Sequence, residues 1–452
     1  MKRKITTLVT TCSALALMPA TASAQAASAS DSAALRAEID ALKAQISAME
    51  ARLGSVSAKT EANSTAIAAA PAPDKSEFKV KWKGAPELET ESGWSFKPRG
   101  RILIDAATVD APDSIADNGL GFSNEIRRAR LGVEGTIPGG FGYKFEADFA
   151  DNGVELMDAI LTYKAKGLTF TVGQHNNFQG LEELSSSNDT SFLERAAFTD
   201  AFGFQRRLGL SAQYQTGALL LQGGAFSSNV DDLGDDENNA YGFDGRVVFA
   251  PKLGDAQLHF GGSAHWRDLG DTFDSVQYRQ RPLVHSTDTR FIDTGSLIGA
   301  TSETGYGLEA AAIVGRFHAA AESFWQNVER TGAADPTFFG ASVEAGVFLT
   351  NDHREYKGGV FKGVKVRNPV GEGGWGAWQV NVRYDRLDLN DAGILGGTQD
   401  GYMASLIWTP VDYVRFLLNY GHLVYDNAAI PAAGGDRSYS ADVVGARAQI
   451  SF

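Results

Sequence analysis

The chain has 452 residues, 43% of them hydrophobic, with 41 basic and 55 acidic side chains and a net charge of −14. This balance argues against a nucleic-acid-binding protein, because affinity for nucleic acid comes mainly from basic side chains on phosphates. A single cysteine, Cys12, excludes a disulfide framework and a cysteine-rich zinc module. Fifty glycines together with 10% aromatic residues are typical of a β-rich chain.

The N-terminus has the layout of a secretory signal peptide. Lys2, Arg3 and Lys4 precede an apolar stretch from residue 5 to 18, and an Ala-Ser-Ala cleavage site follows at 22–24. The apolar stretch is shorter than the roughly 20 residues that a membrane-spanning helix needs. The sequence therefore predicts export with residues 1–24 as the signal peptide, which leaves no cysteine in the mature chain.

Residues 25–62 are predicted to form a coiled-coil helix. Apolar residues recur there at alternating spacings of four and three, as at the a and d positions of a coiled coil: Leu35, Ile39, Leu42, Ile46, Met49, Leu53 and Val56. A lone amphipathic helix that packs on another surface is the alternative. Residues 63–93 are predicted to be an Ala/Pro-rich, semi-rigid linker.

From residue 94 to 452 the hydrophobic period changes to two, which indicates β-strands. Between Phe141 and Phe149, for example, one face carries Phe, Tyr and Ala while the other carries Lys, Glu and Asp. This pattern suits either a soluble sandwich or a barrel with its apolar face in lipid. Sixteen strands are predicted, at 96–106, 126–136, 141–149, 156–164, 168–174, 206–215, 218–226, 241–249, 256–267, 305–314, 317–328, 338–349, 376–388, 399–409, 412–423 and 442–452.

The connections between these strands alternate between short and long, as the periplasmic turns and external loops of an outer-membrane barrel do, and a sandwich has no reason to show this. The connection 350–375 breaks the rule, because it should be a short turn. Aromatic residues near strand ends, such as Trp325 and Trp408, fit interfacial girdles. The predicted fold class is therefore an all-β membrane protein: a 16-stranded antiparallel transmembrane β-barrel (94–452) preceded by an N-terminal coiled-coil helix.

Alternation along the strands also predicts which charged side chains face the water-filled lumen. The inward set is Arg101, Arg128, Arg130, Arg207, Arg246, Arg267, Arg383, Arg415 and Arg447, with Lys144, Glu146, Asp148, Asp158, Asp244 and Asp385. Arginine suits oxyanions because its guanidinium offers a fixed fork of donors and keeps its charge. Rows of arginine predict an anion path, and the alternative is that Arg and Asp pair across the lumen as a solvated wall network.

Short motifs in a fixed order give this region a family resemblance. They are Phe-Lys-Pro-Arg-Gly-Arg at 96–101, Ile-Arg-Arg-Ala-Arg-Leu-Gly at 126–132, Val-Gly-Gln at 172–174, Gly-Leu-Glu-Glu-Leu-Ser-Ser-Ser at 180–187, Phe-Leu-Glu-Arg at 192–195, Arg-Gln-Arg-Pro at 279–282, Phe-Leu-Thr at 348–350, Gly-Gly-Trp-Gly-Ala-Trp at 373–378 and Arg-Tyr at 383–384. Over nearly all of 94–452 the chain resembles the phosphate-selective porins O and P of the Gram-negative outer membrane. The resemblance implies a trimer of sixteen-stranded barrels, with two external loops and one long periplasmic turn folded into the pore.

The resemblance also implies an arginine ladder that draws phosphate into the pore. Its positions here are Arg101, Arg127, Arg128, Arg279, Arg281 and Arg290, to which strand alternation adds Arg130 and Arg383. Strand alternation places Arg127 on the outer face, whereas the resemblance places it in the pore. A bulge at the strand end would reconcile these two placements. In the constriction loop, at 175–205, phosphate-specific members carry lysines where this chain has Glu183 and Asn188. Glu194 and Arg195 complete the predicted constriction residues.

The sequence thus predicts an outer-membrane porin, not an enzyme, for the passive diffusion of small hydrophilic solutes, with anions such as phosphate or polyphosphate as the first candidates. The alternatives are a general porin without phosphate specificity, or a coiled-coil tether between the outer membrane and the cell wall through residues 31–62. Predicted partners are two further copies in a homotrimer, outer-membrane lipid and small anions, but no nucleic acid. No catalytic motif, cofactor or metal site is predicted, because no HExxH or G-x-S-x-G pattern is present.

Overall fold

The computed structural model describes residues 29–69, 78–150, 153–232, 239–271 and 273–452. The predicted signal peptide lies outside the described residues. The chain divides into two compact units, Met1–Ser76 and Glu77–Phe452.

In the first unit, helix α1 runs over Ala29–Ala69. It is longer than the predicted helix and takes in the start of the predicted linker, because the alanine-rich stretch before residue 70 favours a helix and Pro71 cannot continue one. The apolar residues of the predicted seam from Ile39 to Val56 are exposed in the single chain. No described helix has both the length and the apolar character to cross a membrane.

The second unit is built on sixteen long antiparallel strands, labelled β1 to β16 here. Their bounds are Ser95–Asp110, Gly121–Ile137, Phe141–Asp148, Glu155–Ala165, Leu168–Asn176, Arg206–Thr216, Leu219–Phe226, Tyr241–Phe249, Ala256–Asp268, Ala300–Val314, Phe317–Arg330, Thr337–Phe348, Ala377–Asp391, Ile394–Val411, Val414–Asp426 and Tyr439–Ser451. Each strand pairs with its neighbour in the chain, and β16 pairs with β1 from Ser451↔Arg101 to Asp442↔Asp110, which closes the barrel. The predicted sixteen-stranded barrel is confirmed.

Several strands extend further than alternation predicts, chiefly at the end of the barrel that carries the long loops. Strand β2 begins at Gly121 rather than 126, and β10 begins at Ala300 rather than 305. Glycine and charged residues interrupt the apolar pattern there, but backbone pairing with the neighbouring strand does not depend on side-chain polarity. We call this end of the barrel the loop end and the opposite end the turn end.

A β-hairpin precedes the barrel within the segment predicted as a linker. Phe78–Lys83 pairs with Ala85–Thr90, and the second of these strands pairs with β1 through Leu88↔Phe96. We call it the N-terminal hairpin. Sequence analysis missed it because the whole of 63–93 was assigned to a linker from its Ala/Pro-rich start, although Phe78, Val80 and Trp82 alternate with lysines.

The remaining elements are short and belong to the connections. They are helices α2 (Leu181–Leu184) and α3 (Ala197–Ala201), 3₁₀ turns at Val230–Asp232 and Ala433–Gly435, and strands at Lys252–Leu253, Ser275–Val276, Arg279–Gln280, Ile292–Asp293, Leu297–Ile298, Arg354–Lys357 and Val360–Val364.

The hydrophobic core lies inside the barrel. Aromatic residues of the loops 177–205 and 269–299 pack there against the inner wall, and the Phe198 and Phe324 rings stack with centroids 6.3 Å apart. Phe291 packs on Tyr425 at 4.9 Å. Because aromatic burial strongly favours the packed state, these loops are held in the lumen as fixed structure.

Candidate pore and constriction

The loop 177–205, which we call the constriction loop, crosses the lumen and is fastened to the far wall. Arg447 on β16 donates to the Leu193 carbonyl at 2.8 Å, and Arg415 on β15 donates to the Asn188 carbonyl at 2.9 Å. Ser405 on β14 donates to the Ser191 carbonyl at 2.7 Å. Several arginines that alternation places in the lumen therefore hold the loop rather than line open water.

The long connection between β12 and β13 also folds inside the barrel. Its strands Arg354–Lys357 and Val360–Val364 form a pair that we call the inward hairpin. Arg354 donates to the Ser191 hydroxyl at 2.8 Å, and its guanidinium lies 4.3 Å from the Phe361 ring centroid. The turn needs glycine, because Gly359 has φ +77° and its carbonyl accepts from Arg246 at 2.8 Å. The connection that breaks the short-turn rule thus fills part of the lumen.

A third segment, residues 269–299, covers the loop end, and we call it the capping loop. His285 lies 2.9 Å from a Glu125 oxygen on β2, and the hydroxyls of Ser286 and Ser123 are 2.7 Å apart. In the nearby connection between β15 and β16, across the barrel from β9 and β10 where this loop begins and ends, Ala429 donates its backbone N–H to the Phe291 carbonyl at 2.7 Å. The loop therefore spans the mouth and narrows it.

Between the constriction loop, the capping loop and β2 lies a cavity of about 190 Å³. Within the described chain, its lining carries six guanidinium groups and four carboxylates, so the charge balance favours anions. They belong to Arg127, Arg128, Arg130, Arg195, Arg206 and Arg281, and to Glu155, Glu183, Glu194 and Asp200. Arg206, Glu155 and Asp200 are lining residues that the sequence-based site did not include.

A β-bulge explains how two consecutive arginines reach this cavity. Opposite β1, Leu103 pairs with Arg128 and Ile104 pairs with Ile126, so Arg127 is the extra residue. Ile126 stays on the outer face, with 54% of its surface exposed, while Arg127 points inward to Glu194. A bulge of this kind shifts the alternation by one residue, which is why strict alternation placed Arg127 outward.

The cavity arginines differ in how tightly their charge is compensated. Arg130 lies 2.7 Å from Asp148, and Arg206 lies 3.0 Å from Asp158. Arg128 is looser, at 4.0 Å from Asp148. Since a guanidinium with a distant counter-ion keeps more of its field for a passing solute, Arg128 is the strongest anion contact of the three.

The acids of the constriction loop are compensated by neighbouring arginines. Glu194 accepts two hydrogen bonds from Arg127, at 2.8 and 3.1 Å. Burial alone would raise the pKa of Glu194, but the Arg127 charge outweighs it and holds that pKa at about 2. Glu183 lies 3.4 Å from Arg195, and burial raises the pKa of its carboxyl despite that partner. Neither acid presents an isolated negative charge to the cavity.

Three predicted arginines belong to the capping loop. Arg279 is exposed, and Arg281 donates to the Thr287 carbonyl at 3.0 Å and pairs with Asp288 at 3.2 Å. Burial and, to a smaller extent, the charge of Arg281 lower the pKa of Arg290 to about 10. Of the three, Arg281 lines the cavity.

The other predicted residues lie around the cavity rather than on its surface. Arg101 is buried and donates to the Ser187 hydroxyl at 3.1 Å. Arg383 is 3% exposed, behind the constriction loop, and bonds Glu344 at 2.8 Å and also Glu182. The Asn188 side chain is buried on the turn-end side of the loop, beside Arg415. Among the described residues, no cluster of His, Cys, Asp and Glu has the arrangement of a metal site.

We expect Glu183→Gln to increase anion selectivity at neutral pH and to reduce its dependence on pH. Because burial raises the pKa of Glu183 above 4.5, the wild-type carboxylate takes up a proton as the pH falls towards that raised value. Anion selectivity of the wild type should therefore rise on acidification, and the Gln variant should already show the higher value. Reversal potentials measured between pH 7 and pH 4 test this, and equal pH profiles would contradict it.

The sequence and the structure were compared with those of known proteins. A family model described as phosphate-selective porin O and P matches residues 96–452. An uncharacterised protein of Caulobacter vibrioides is 50% identical over 404 residues, which cover 87% of this chain and 81% of the relative. Porin O of Pseudomonas aeruginosa is 28% identical over 359 residues, which cover 72% of this chain and 80% of that protein.

Solved structures share the barrel. The outer membrane channel DcaP of Acinetobacter baumannii superposes with a TM-score of 0.50 at 14% identity, covering 80% of this chain and 99% of that chain. An anion-selective porin from Comamonas acidovorans gives a TM-score of 0.51 at 13% identity, covering 79% and 100%. At these identities the likeness concerns the fold alone. From the family match over residues 96–452, the chain belongs to the phosphate-selective porin O and P family.

Proposed function

We propose that this porin lies in the outer membrane as a homotrimer and passes small anions by passive diffusion, with phosphate and related oxyanions as its first candidate solutes. The observation that carries the proposal is the cavity beside the constriction loop, where guanidiniums outnumber carboxylates. Arginine rows of this kind form anion paths in channels. The protein then acts as a channel and has no catalytic step.

The compensation of the loop acids supports anion passage over cation passage. Glu194 is tied to Arg127 and Arg447, and Glu183 is tied to Arg195. At these two acids a cation would meet carboxylates already paired with arginine, while an anion would meet the looser Arg128 and the lining residue Arg281. Glu183, at one of the two positions where phosphate-specific members carry lysine, therefore leaves the path positive.

Planar-bilayer recording tests the proposal. In a KCl gradient, the reversal potential should have the sign of chloride preference, and added inorganic phosphate should reduce the chloride current by occupying the same arginines. Cation preference would overturn the anion proposal. Chloride preference without a phosphate effect would leave a general anion porin and remove phosphate as a specific solute.

We also propose that α1 contributes to the homotrimer as a coiled coil. In the single chain its predicted seam, including Ile46 and Leu53, is more than half exposed, which is unfavourable in water unless another helix covers it. Deleting residues 31–62 should therefore make the detergent-solubilised trimer dissociate at a lower temperature and leave single-channel conductance unchanged. Unchanged dissociation would contradict this role. Cell-wall contact through the same residues stays a prediction. Co-sedimentation of the wild type and of the deletion variant with purified peptidoglycan tests it.

A further inference from the structure

Helix α2 carries Glu183 in the constriction loop and has only four residues. The Leu184 N–H donates to the Gly180 carbonyl at 3.2 Å, and the Ser185 N–H donates to the Leu181 carbonyl at 3.0 Å. A helix of a single turn is not stable in water by itself. The position of Glu183 therefore depends on the groups that hold the two ends of this helix.

The start of the helix is held by Glu322, which faces the lumen from β11. Its two carboxyl oxygens accept from the backbone N–H groups of Leu181 and Glu182, each at 2.8 Å. The Glu322 side chain is buried, and no arginine, lysine or histidine of the described chain forms an ion pair with it. Because a buried N–H group without an acceptor costs as much as a lost hydrogen bond, these two contacts favour the helical turn.

The end of the helix is held by Arg195, from the second half of the same loop. Arg195 donates to the carbonyls of Glu182, Glu183 and Ser185 at 3.0, 3.1 and 2.8 Å. Its guanidinium also lies 3.4 Å from the Glu183 carboxylate, and both residues line the cavity of about 190 Å³. The ion pair that compensates the charge of Glu183 therefore requires an intact helical turn.

Glycine before the helix allows the Glu322 carboxyl group to come close. A Cβ atom at Gly180 would lie 2.7 Å from a Glu322 carboxyl oxygen, nearer than such atoms approach in proteins. On the helix side, Leu181 is buried in a cluster with Val360 and Phe361 of the inward hairpin, which hinders the helix from moving away. A methyl group in place of the Gly180 hydrogen would therefore push the Glu322 carboxyl group away from the two N–H groups.

We propose that Glu322 is a positioning residue for selectivity, because it holds α2 where Arg195 can compensate the charge of Glu183. The proposal rests on the anion passage of the proposed function and names a residue on which that passage depends. Without the two backbone contacts the turn opens, and Glu183 presents more of its charge to a passing anion. One unpaired charge about 6 Å away changes anion occupancy about threefold in water, which sets the size of the expected effect.

Reversal potentials in a KCl gradient test the proposal with two variants that differ in charge. Glu322→Gln keeps the length of the side chain but leaves one acceptor oxygen for two N–H groups, while Gly180→Ala displaces the carboxyl group and changes no charge. Both should lower the chloride-to-potassium permeability ratio about two- to threefold. If Glu322→Gln raises this ratio and Gly180→Ala leaves it unchanged, Glu322 acts through its own charge and the proposal is overturned.

A double-mutant cycle with Glu183→Gln measures whether the effect passes through Glu183. In the Glu183→Gln channel, neither Glu322→Gln nor Gly180→Ala should lower the permeability ratio further, because the carboxylate that they expose is gone. Asp385→Asn is the matched control, since Asp385 accepts the backbone N–H of Ala197 at 2.8 Å in the other half of the loop. Its effect should be the same with and without Glu183→Gln. An effect of Glu322→Gln that is equally independent of Glu183 would contradict the proposal.

Two further readouts separate this inference from a released loop and from the proposed function. Proteolysis within residues 177–205 should stay at the wild-type level in both variants, because Arg383, Arg415 and Arg447 still hold the loop. Faster proteolysis would mean that Glu322 holds the whole loop, which would overturn its specific role at α2. A wild type that prefers potassium would reject the anion passage, and the cycle would still decide the coupling. Chloride preference without coupling between Glu322 and Glu183 would keep the proposed function and reject this inference.

Discussion

Arg128→Glu should reverse much of the anion preference of the channel. Arg128 lines the cavity and lies 4.0 Å from its counter-ion Asp148, the loosest arginine–carboxylate pair of the cavity wall. The substitution changes the local charge by two units, and each unit is worth about 0.7 kcal/mol on an anion about 6 Å away in water. The sum of roughly 1.4 kcal/mol corresponds to an about tenfold fall in anion occupancy. The reversal potential in a KCl gradient measures this change directly.

The control for this prediction is Arg316→Glu, the same charge change in the two-residue turn between β10 and β11. Arg316 is exposed at the turn end, away from the cavity, so its substitution should leave the reversal potential close to wild type. If both variants shift the potential equally, selectivity follows total charge instead of the cavity. If neither shifts it, the anion path runs elsewhere.

Arg383→Ala should release the constriction loop, giving a larger and noisier single-channel conductance. The Arg383 guanidinium bonds Glu344 at 2.8 Å, donates to the Glu194 carbonyl at 3.2 Å and lies 4.4 Å from the Phe192 ring centroid. Removing it leaves Glu182 without its arginine and Glu344 with Arg354 alone, and breaking a buried ion pair costs about 3–5 kcal/mol in protein interiors. That is more than the loop's individual hydrogen bonds provide, at about 1 kcal/mol each.

Arg386→Ala is the matched control on the same strand. Arg386 pairs with Asp400 at 2.9 Å on the exposed surface, where ion pairs contribute about 0–1 kcal/mol. Conductance noise and proteolysis within residues 177–205 should increase in the Arg383 variant and stay at wild-type levels in the Arg386 variant. The opposite outcome is an Arg383 variant with wild-type conductance noise and protease resistance but lower anion selectivity. That result would make this residue part of the anion path, as strand alternation suggests.

The strands were the part of the fold that could be predicted from the sequence. Alternation depends only on neighbours in the sequence, and it identified all sixteen strands because apolar residues recur on the outward face of each. The loop-end portions of β2 and β10 were missed because glycine and charged residues interrupt the apolar face there while backbone pairing continues. The N-terminal hairpin was missed because it lies in a segment assigned to a linker from its Ala/Pro-rich start.

The contacts of the cavity residues could not be predicted in the same way, because they depend on which strands and loops meet across the lumen. Alternation correctly turned Arg447 inward but gave no sign that it would bond Asp105 on the neighbouring strand and the carbonyl of Leu193. Arg206 follows directly after the constriction loop, outside any recognised motif, and only its contact with Asp158 places it in the cavity wall. A charged residue at the first position of a strand that follows a long inward loop is the one signal that could have found it.

The fastening of the constriction loop has a consequence for the order of assembly. The loop is made early in the chain, but the groups that hold it, on Arg383, Ser405, Arg415 and Arg447, belong to the last four strands. The loop can therefore be fastened in place only once these last strands have formed, at the stage when β16 meets β1. Assembly and selectivity are coupled in this way. A barrel that closed without fastening the loop would be a stable channel without its constriction, so the last strands decide whether the finished channel is selective.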